Sequence, residues 1–194
     1  MPDLAQLRVD ALACTRCPLA GGRTTVVFGE GDPHAALMVV GEGPGREEDL
    51  AGRPFVGRSG HLLDRLLLEE IGLRREQVYI ANVVKCRPPG NRDPQPDEIA
   101  ACRPYLEAQI DEIRPAVLMT LGNFSSKLLI ATAEGITRLR GRTYPYRDTD
   151  AVIVPTYHPA AALRGGGTVL AGMRADFVRA KGILAAPAPP VGSR

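Results

Sequence analysis

Leu37-Met38-Val39-Val40 runs straight into Gly41-Glu42-Gly43-Pro44-Gly45, and residues 46 to 57 continue it as REEDLAGRPFVG. Four apolar residues ending in two β-branched valines have the length and composition of a short buried strand. Three glycines and a proline then force a tight turn with little side-chain bulk, where backbone N–H groups can come close to a ligand. Strands of α/β proteins commonly present ligands with such turns. A dinucleotide loop is excluded by register. The pattern G-x-G-x-x-G needs a glycine where Arg46 stands if it starts at Gly41, and where His34 stands if it starts at Gly29.

On either side of this stretch, strand and helix patterns alternate. Residues 3–13 carry Leu4, Leu7, Ala11 and Leu12 at helical spacing. After the glycine turn, Ser59 is the expected cap of a helix with Leu62, Leu63, Leu66, Leu67 and Ile71 inward and Gly72 as its stop. Strands are expected at 36–40, 77–84, 116–121 and 151–155, with helices over 97–113, 124–130 and, capped by Thr168, up to Leu184. Pro104 either kinks the first of these helices or moves its start to near Arg103. Segment 136–146 reads as a hairpin or irregular crossing, 87–96 as a proline-rich loop, and 187–194 as a disordered Pro-rich tail. The alternation predicts an α/β fold with a mostly parallel four-stranded sheet covered on both faces, in one domain over 1–186. Ligands bind outside the carboxyl ends of such strands. Here those ends present Gly41-Glu42-Gly43, Asn82, Gly122-Asn123 and His158, which makes a polar pocket the leading expectation.

With 44% hydrophobic and 24% charged residues, the composition is that of an ordinary globular protein. No apolar run reaches the length of a membrane span and no signal-peptide core is present, so the chain is expected to be intracellular and to make no use of a membrane. A net charge of +2 is too small to identify a nucleic-acid partner, although arginine far outnumbers lysine and suits phosphate. Four cysteines stand at 14, 17, 86 and 102. Disulfides do not suit an intracellular chain. One Cys-x-x-Cys pair with two isolated cysteines, each set beside an arginine or lysine, points to a metal site, with zinc and iron–sulfur left even by the spacing.

Four blocks together closely resemble the family 4 uracil-DNA glycosylases, the iron–sulfur enzymes of bacteria and archaea. They are Gly41-Glu42-Gly43-Pro44-Gly45, the block from Gly52 to Gly57 (GRPFVG), the block from Asn82 to Pro89 (NVVKCRPP), and His158-Pro159-Ala160. The resemblance implies a three-layer α/β/α sandwich and a [4Fe–4S] cluster on Cys14, Cys17, Cys86 and Cys102. It also implies a DNA-repair enzyme that flips uracil out of single- or double-stranded DNA and hydrolyses its N-glycosidic bond, leaving an abasic site. Gly41, Glu42, Gly43, Phe55, Asn82 and His158 would then hold the base. Phe55 would stack on it, Asn82 would read N3–H and O4, and His158 would stabilise charge at O2. Glu42 is the nearest carboxylate to the leaving group, because Gly43 stands where better-known uracil glycosylases have an aspartate. Leu163 and Arg164, in an expected loop from His158 to Arg164, would contact DNA. Further phosphate contacts are expected among Arg53, Arg58, Arg140 and Arg142. The implied setting is a monomer in the prokaryotic cytoplasm, at the nucleoid. The alternatives are a superfamily glycosylase for another deaminated base, and a non-catalytic iron–sulfur or zinc protein, which would leave Phe55, Asn82 and His158 without a joint role.

Overall fold

Every residue of β2 (Leu37–Gly41) is buried, as a strand covered on both faces requires. Its side chains alternate between two cores: Met38 and Val40 join the first, Leu37 and Val39 the second. A computed structural model describes residues 3–186. The sheet has six strands in the order β1-β3-β2-β4-β6-β5, where β1 is Glu30–Gly31, β3 Tyr79–Asn82, β4 Val117–Leu121, β5 Tyr144–Pro145 and β6 Val152–Thr156. The four inner strands are parallel, as expected. The four-strand expectation is corrected by β1 and β5, which add antiparallel edges. Each is two residues long, too short to leave a periodic signal.

Helices cover both faces. On one lie α1 (Leu4–Leu12), α4 (Pro96–Ile113) and α5 (Asn123–Ile130), contributing Leu7, Ala11, Leu106, Ile110 and Leu129 to the first core. On the other lie α3 (Arg58–Leu66), α7 (Pro159–Gly165) and α8 (Gly167–Leu184), contributing Leu63, Leu66, Ala162, Met173 and Phe177 to the second. Two short helices, α2 (Arg46–Ala51) and α6 (Ile136–Leu139), complete the set. This is the expected three-layer α/β/α sandwich. Among the described residues no helix is long and apolar enough to cross a membrane. The expected tail, 187–194, lies outside the described residues.

Several boundaries differ from the sequence reading for local reasons. Gly57, not Ser59, precedes α3, and Gly166, not Thr168, precedes α8. Helix α4 starts at Pro96, where a missing N–H costs nothing, and continues through Pro104. The Glu98 carboxylate accepts the Gln95 N–H at 2.8 Å and holds that start. Segment 46–51 is helical although its acidic run has no apolar period. Glu47, Glu48 and Asp49 sit in its first turn, where the helix dipole favours negative charge. The expected loop from His158 to Arg164 is instead helix α7, with Pro159 at its first position.

Candidate active site

From β2 the chain leaves to β3 on one side and later reaches β4 on the other, so the connections diverge at the carboxyl end of β2. A pocket of about 600 Å³ opens there, lined by the Glu42–Glu48 turn, Phe55, Asn82, the 91–93 loop, His158 and Arg164. Its size is within the range of small-molecule sites. Gly41 is in register with Asn82, so the last residues of β2 and β3 lie side by side, and of the two Asn82 lines the pocket. The Val83 and Val84 N–H groups donate to the Gly41 and Glu42 carbonyls at 3.0 Å, prolonging the pairing into the turn.

Asn82 carries the most informative detail. It is 2% exposed, and its Oδ1 has no hydrogen-bond partner. Among the described residues three buried side-chain polar atoms are in that state, and the other two, Tyr146 Oη and Thr156 Oγ1, do not line the pocket. A buried acceptor without a partner costs about 1–3 kcal/mol, so it marks a place where a donor belongs. Gly41 makes room for it. A Cβ at Gly41 would lie 2.4 Å from Asn82 Oδ1 and 2.6 Å from the Phe55 ring. At Gly43 a Cβ would come within 2.7 Å of the Val84 side chain, so a larger residue there would displace Val84.

Phe55 has a left-handed backbone, φ +52°, a conformation costly for an aromatic residue unless its surroundings impose it. Two charged side chains do so. The Glu48 carboxylate accepts N–H groups from Gly45, Val56 and Gly57 at 3.0–3.1 Å, tying the glycine turn to the Phe55 turn. From the other side Arg75 donates to the Phe55 carbonyl at 3.0 Å and to the Pro54 carbonyl, while pairing with Glu30 and Asp64. The Phe55 ring centroid then stands 5.8 Å from that of His158.

His158 caps α7, its Nδ1 accepting the Ala160 N–H at 3.2 Å. That bond leaves the neutral ring's proton on Nε2. Burial, and then the nearby Arg164 charge, bring its pKa down to about 4, so the ring is a neutral N–H donor at physiological pH. Glu42 moves the other way: burial, reinforced by Asp93, pushes it up to about 7.

Glu42, Gly43, Phe55, Asn82 and His158 therefore line one pocket, while Gly41, expected among them, pairs with Asn82 but is not a lining residue. Arg164 lines the rim, and Leu163 on the same helix is 42% exposed. The arginine expectations divide. Arg58 lines the pocket, whereas Arg142 does not. Arg53 pairs with Glu30 through two hydrogen bonds, and Arg140 is held by Asp176, the Gly172 carbonyl and the Tyr157 ring. Both are committed within the protein. Sequence reasoning missed Arg46, Glu48, Asn91 and Asp93, all lining residues, and the support from Arg75. Glu48, three residues after the last glycine of the turn, was the one with a detectable signal, as a capping acid for Gly45.

The cysteines converge at a second site on the α1–α4 side. Cys14 follows α1, Cys17 precedes a 3₁₀ turn (Pro18–Gly21), Cys86 follows β3, and Cys102 is on α4, and all four line one small, largely apolar cavity. Arg16, Arg23 and Lys85 also line it, and no carboxylate does. The Lys85 N–H donates to Cys102 Sγ at 3.2 Å and the Arg23 guanidinium to Cys86 Sγ at 3.4 Å. Burial pushes the Cys102 thiol up to about 11 and raises Cys86 as well. Among the described residues no group of three or more His, Cys, Asp or Glu side chains is arranged to hold a single metal ion.

The family profile described as the uracil DNA glycosylase superfamily matches residues 28–179. The chain belongs to that superfamily. It is 48% identical over 169 residues to a type-4 uracil-DNA glycosylase of Sulfurisphaera tokodaii, covering 84% of this chain and 77% of that one. A type-4 uracil-DNA glycosylase of Thermotoga maritima is 51% identical over 152 residues, covering 78% of each chain. A type-5 uracil-DNA glycosylase of Thermus thermophilus is more distant, 32% identical over 137 residues, with 62% of this chain covered and 59% of that one. The likeness to type-4 uracil-DNA glycosylases thus extends over most of the chain. In this superfamily member, the matched span contains the whole pocket but begins after Cys14 and Cys17.

Proposed function

We propose that the chain excises uracil from single- or double-stranded DNA during repair, flipping the nucleotide and hydrolysing the bond between uracil N1 and the sugar. The observation that carries the reading is the partnerless, buried Asn82 Oδ1 in a pocket with room for a flipped nucleotide. Uracil brings the missing donor, N3–H, beside the acceptor O4, and an asparagine amide complements that pair with one acceptor and one donor. Cytosine has the reverse pattern and would leave both pairs unsatisfied. Phe55 offers its ring face for stacking, and His158 Nε2–H serves uracil O2. As the glycosidic bond breaks, its electron pair moves into the base, and a neutral donor at O2 stabilises the anion formed there. Glu42 takes a proton from the water that adds to the sugar. Leu163 fills the vacated place in the duplex and Arg58 and Arg164 contact phosphates. The expected form is a monomer acting on DNA. Residues 1–186 are read as one catalytic domain, working at the nucleoid in a prokaryotic cytoplasm.

The cysteine cavity fits a [4Fe–4S] cluster on Cys14, Cys17, Cys86 and Cys102. Four thiols with three basic neighbours and no acid suit an anionic cluster, and a cluster spreads its ligands more widely than one zinc ion does. When bound, the cluster supplies cross-links between the N-terminal segment, the β3 exit and α4, and no step of the excision passes through it.

Oligonucleotides containing uracil, thymine, cytosine or hypoxanthine, given to iron-loaded protein, test the activity. Release of uracil is expected, and its absence would refute the assignment. Two further outcomes follow from the site. Because Glu42 works as the anion, kcat/KM is expected to fall about tenfold per unit as pH drops below about 7 and to level off above it. Glu42→Gln should lower the plateau and remove that limb, whereas a wild-type profile falling above 7 would instead require the protonated acid. Gly41→Ala is expected to lower kcat/KM about a hundredfold, because its Cβ displaces both the Asn82 amide and the Phe55 ring. Steady-state kinetics on a uracil oligonucleotide read this directly.

A further inference from the structure

Lys85 is one of the largest fully buried side chains, 1% exposed, yet it makes no ion pair among the described residues. Its ammonium donates to the Asn82 carbonyl at 2.9 Å and to Gln109 Oε1 at 2.5 Å, and lies 5.9 Å from the Phe28 ring centroid. All three partners are neutral. Enclosing a cation in this way is costly unless an anion compensates it. A cluster held by the cysteine cage would supply that anion, and Lys85 lines the cage and donates its backbone N–H to Cys102 Sγ. One residue thus touches the cage with its amide and the backbone of Asn82 with its ammonium.

We propose that Lys85 is a positioning residue that links the two sites, balanced in charge by the iron–sulfur cluster and holding the Asn82 carbonyl so that the amide stays in place for the base. Gln109 fixes the ammonium's direction, since its own Nε2 is anchored on the Phe28 carbonyl at 2.9 Å and on Tyr79 Oη at 3.2 Å. The arrangement gives the cluster a route to base recognition through a single side chain. It rests on the cluster reading above.

Lys85→Met keeps the length and removes the charge and the donors. Two readouts apply: cluster retention, followed by visible absorbance and by iron release to a chelator, and excision kinetics per cluster-loaded protein. The variant is expected to lose its cluster about tenfold faster than wild type, and to show a kcat for uracil about tenfold lower with KM for DNA nearly unchanged. A cluster lost at the wild-type rate, or an unchanged kcat, would overturn the proposal. A fall in melting temperature without these two changes would mean that Lys85 only fills space, which also overturns it. If Lys85→Met does not fold, Gln109→Leu, which removes the ammonium's other oxygen acceptor, is expected to move both readouts in the same direction, and no movement overturns the link. Iron and sulfide assays on the wild type separate the two levels. Protein without either would refute the cluster itself, whereas a loaded wild type with an indifferent Lys85→Met refutes only the link.

Discussion

Asn82→Asp should lower uracil excision by a hundredfold or more and create measurable excision of cytosine. The amide has two jobs, and aspartate can do only one of them for uracil. Oδ1 still accepts N3–H, but the second oxygen faces O4, acceptor against acceptor, in a position 2% exposed. One lost donor and one buried orphan together cost about 3 kcal/mol, which is about a hundredfold in rate if the loss is felt in the transition state. Those losses belong to the ionised carboxylate. Burial raises the share of protonated acid, which can donate to uracil O4 as the amide does, so the loss is read at pH where the carboxylate is ionised. A neutral carboxyl can donate to cytosine N3 and accept from its N4–H group, the complement that asparagine lacks. Paired uracil and cytosine oligonucleotides, scored for base release over a range of pH, measure both effects. An Asn82→Asp enzyme with the wild-type preference would show that Asn82 does not read the base.

His158→Ala is expected to lower kcat by about 10²–10³ with little change in KM for DNA, the usual cost of removing one donor from a developing anion. The geometry separates this from damage to the fold. His158 also caps α7 through Nδ1, so alanine removes about 1 kcal/mol of helix stability along with the donor. His158→Asn restores a capping acceptor but is too short to replace Nε2. It should melt close to wild type and remain nearly as slow as His158→Ala. Because the ring's pKa is about 4, no histidine limb should appear in the wild-type profile above pH 5. The same depression gives a stability effect of known sign. The unfolded chain takes up a proton near 6.5 and the folded protein only near 4, so stability falls as pH drops between these values and His158→Asn should abolish that part of the fall.

The motifs around the pocket were legible because each depends on residue type at close sequence range. A glycine turn after an apolar run, an asparagine ending a strand and a histidine before a proline are local patterns, and in a parallel sheet the carboxyl ends of the strands bring them together. The convergence of Gly41, Asn82 and His158 therefore needed no coordinates. What stayed hidden lies in partnerships between distant segments. Glu48 and Arg75 hold the Phe55 turn from opposite sides, 7 and 20 residues away in the chain, and neither has a periodic signature. Arg53 and Arg140 looked like phosphate contacts by type, and only the folded chain shows them paired with Glu30 and Asp176. The short helix α7 was read as a loop, and α2 was assigned no element, because six or seven residues carry too little hydrophobic period, while their termini and tertiary contacts stabilise them.

By itself the sequence determined the layered α/β architecture, the superfamily and the presence of Glu42, Gly43, Phe55, Asn82 and His158 in one pocket. Hydrophobic period and turn chemistry are properties of neighbouring residues, and they survive in a linear string. The tertiary structure decided the charge states and the vacancies. Whether His158 is neutral, whether Glu42 titrates near 7 and whether Asn82 Oδ1 lacks a partner all depend on what packs around them. Desolvation is set by the whole fold, so no spacing of letters encodes it. The same holds for Lys85, which reads as an ordinary basic neighbour of a cysteine until the fold encloses it between the cage and Asn82.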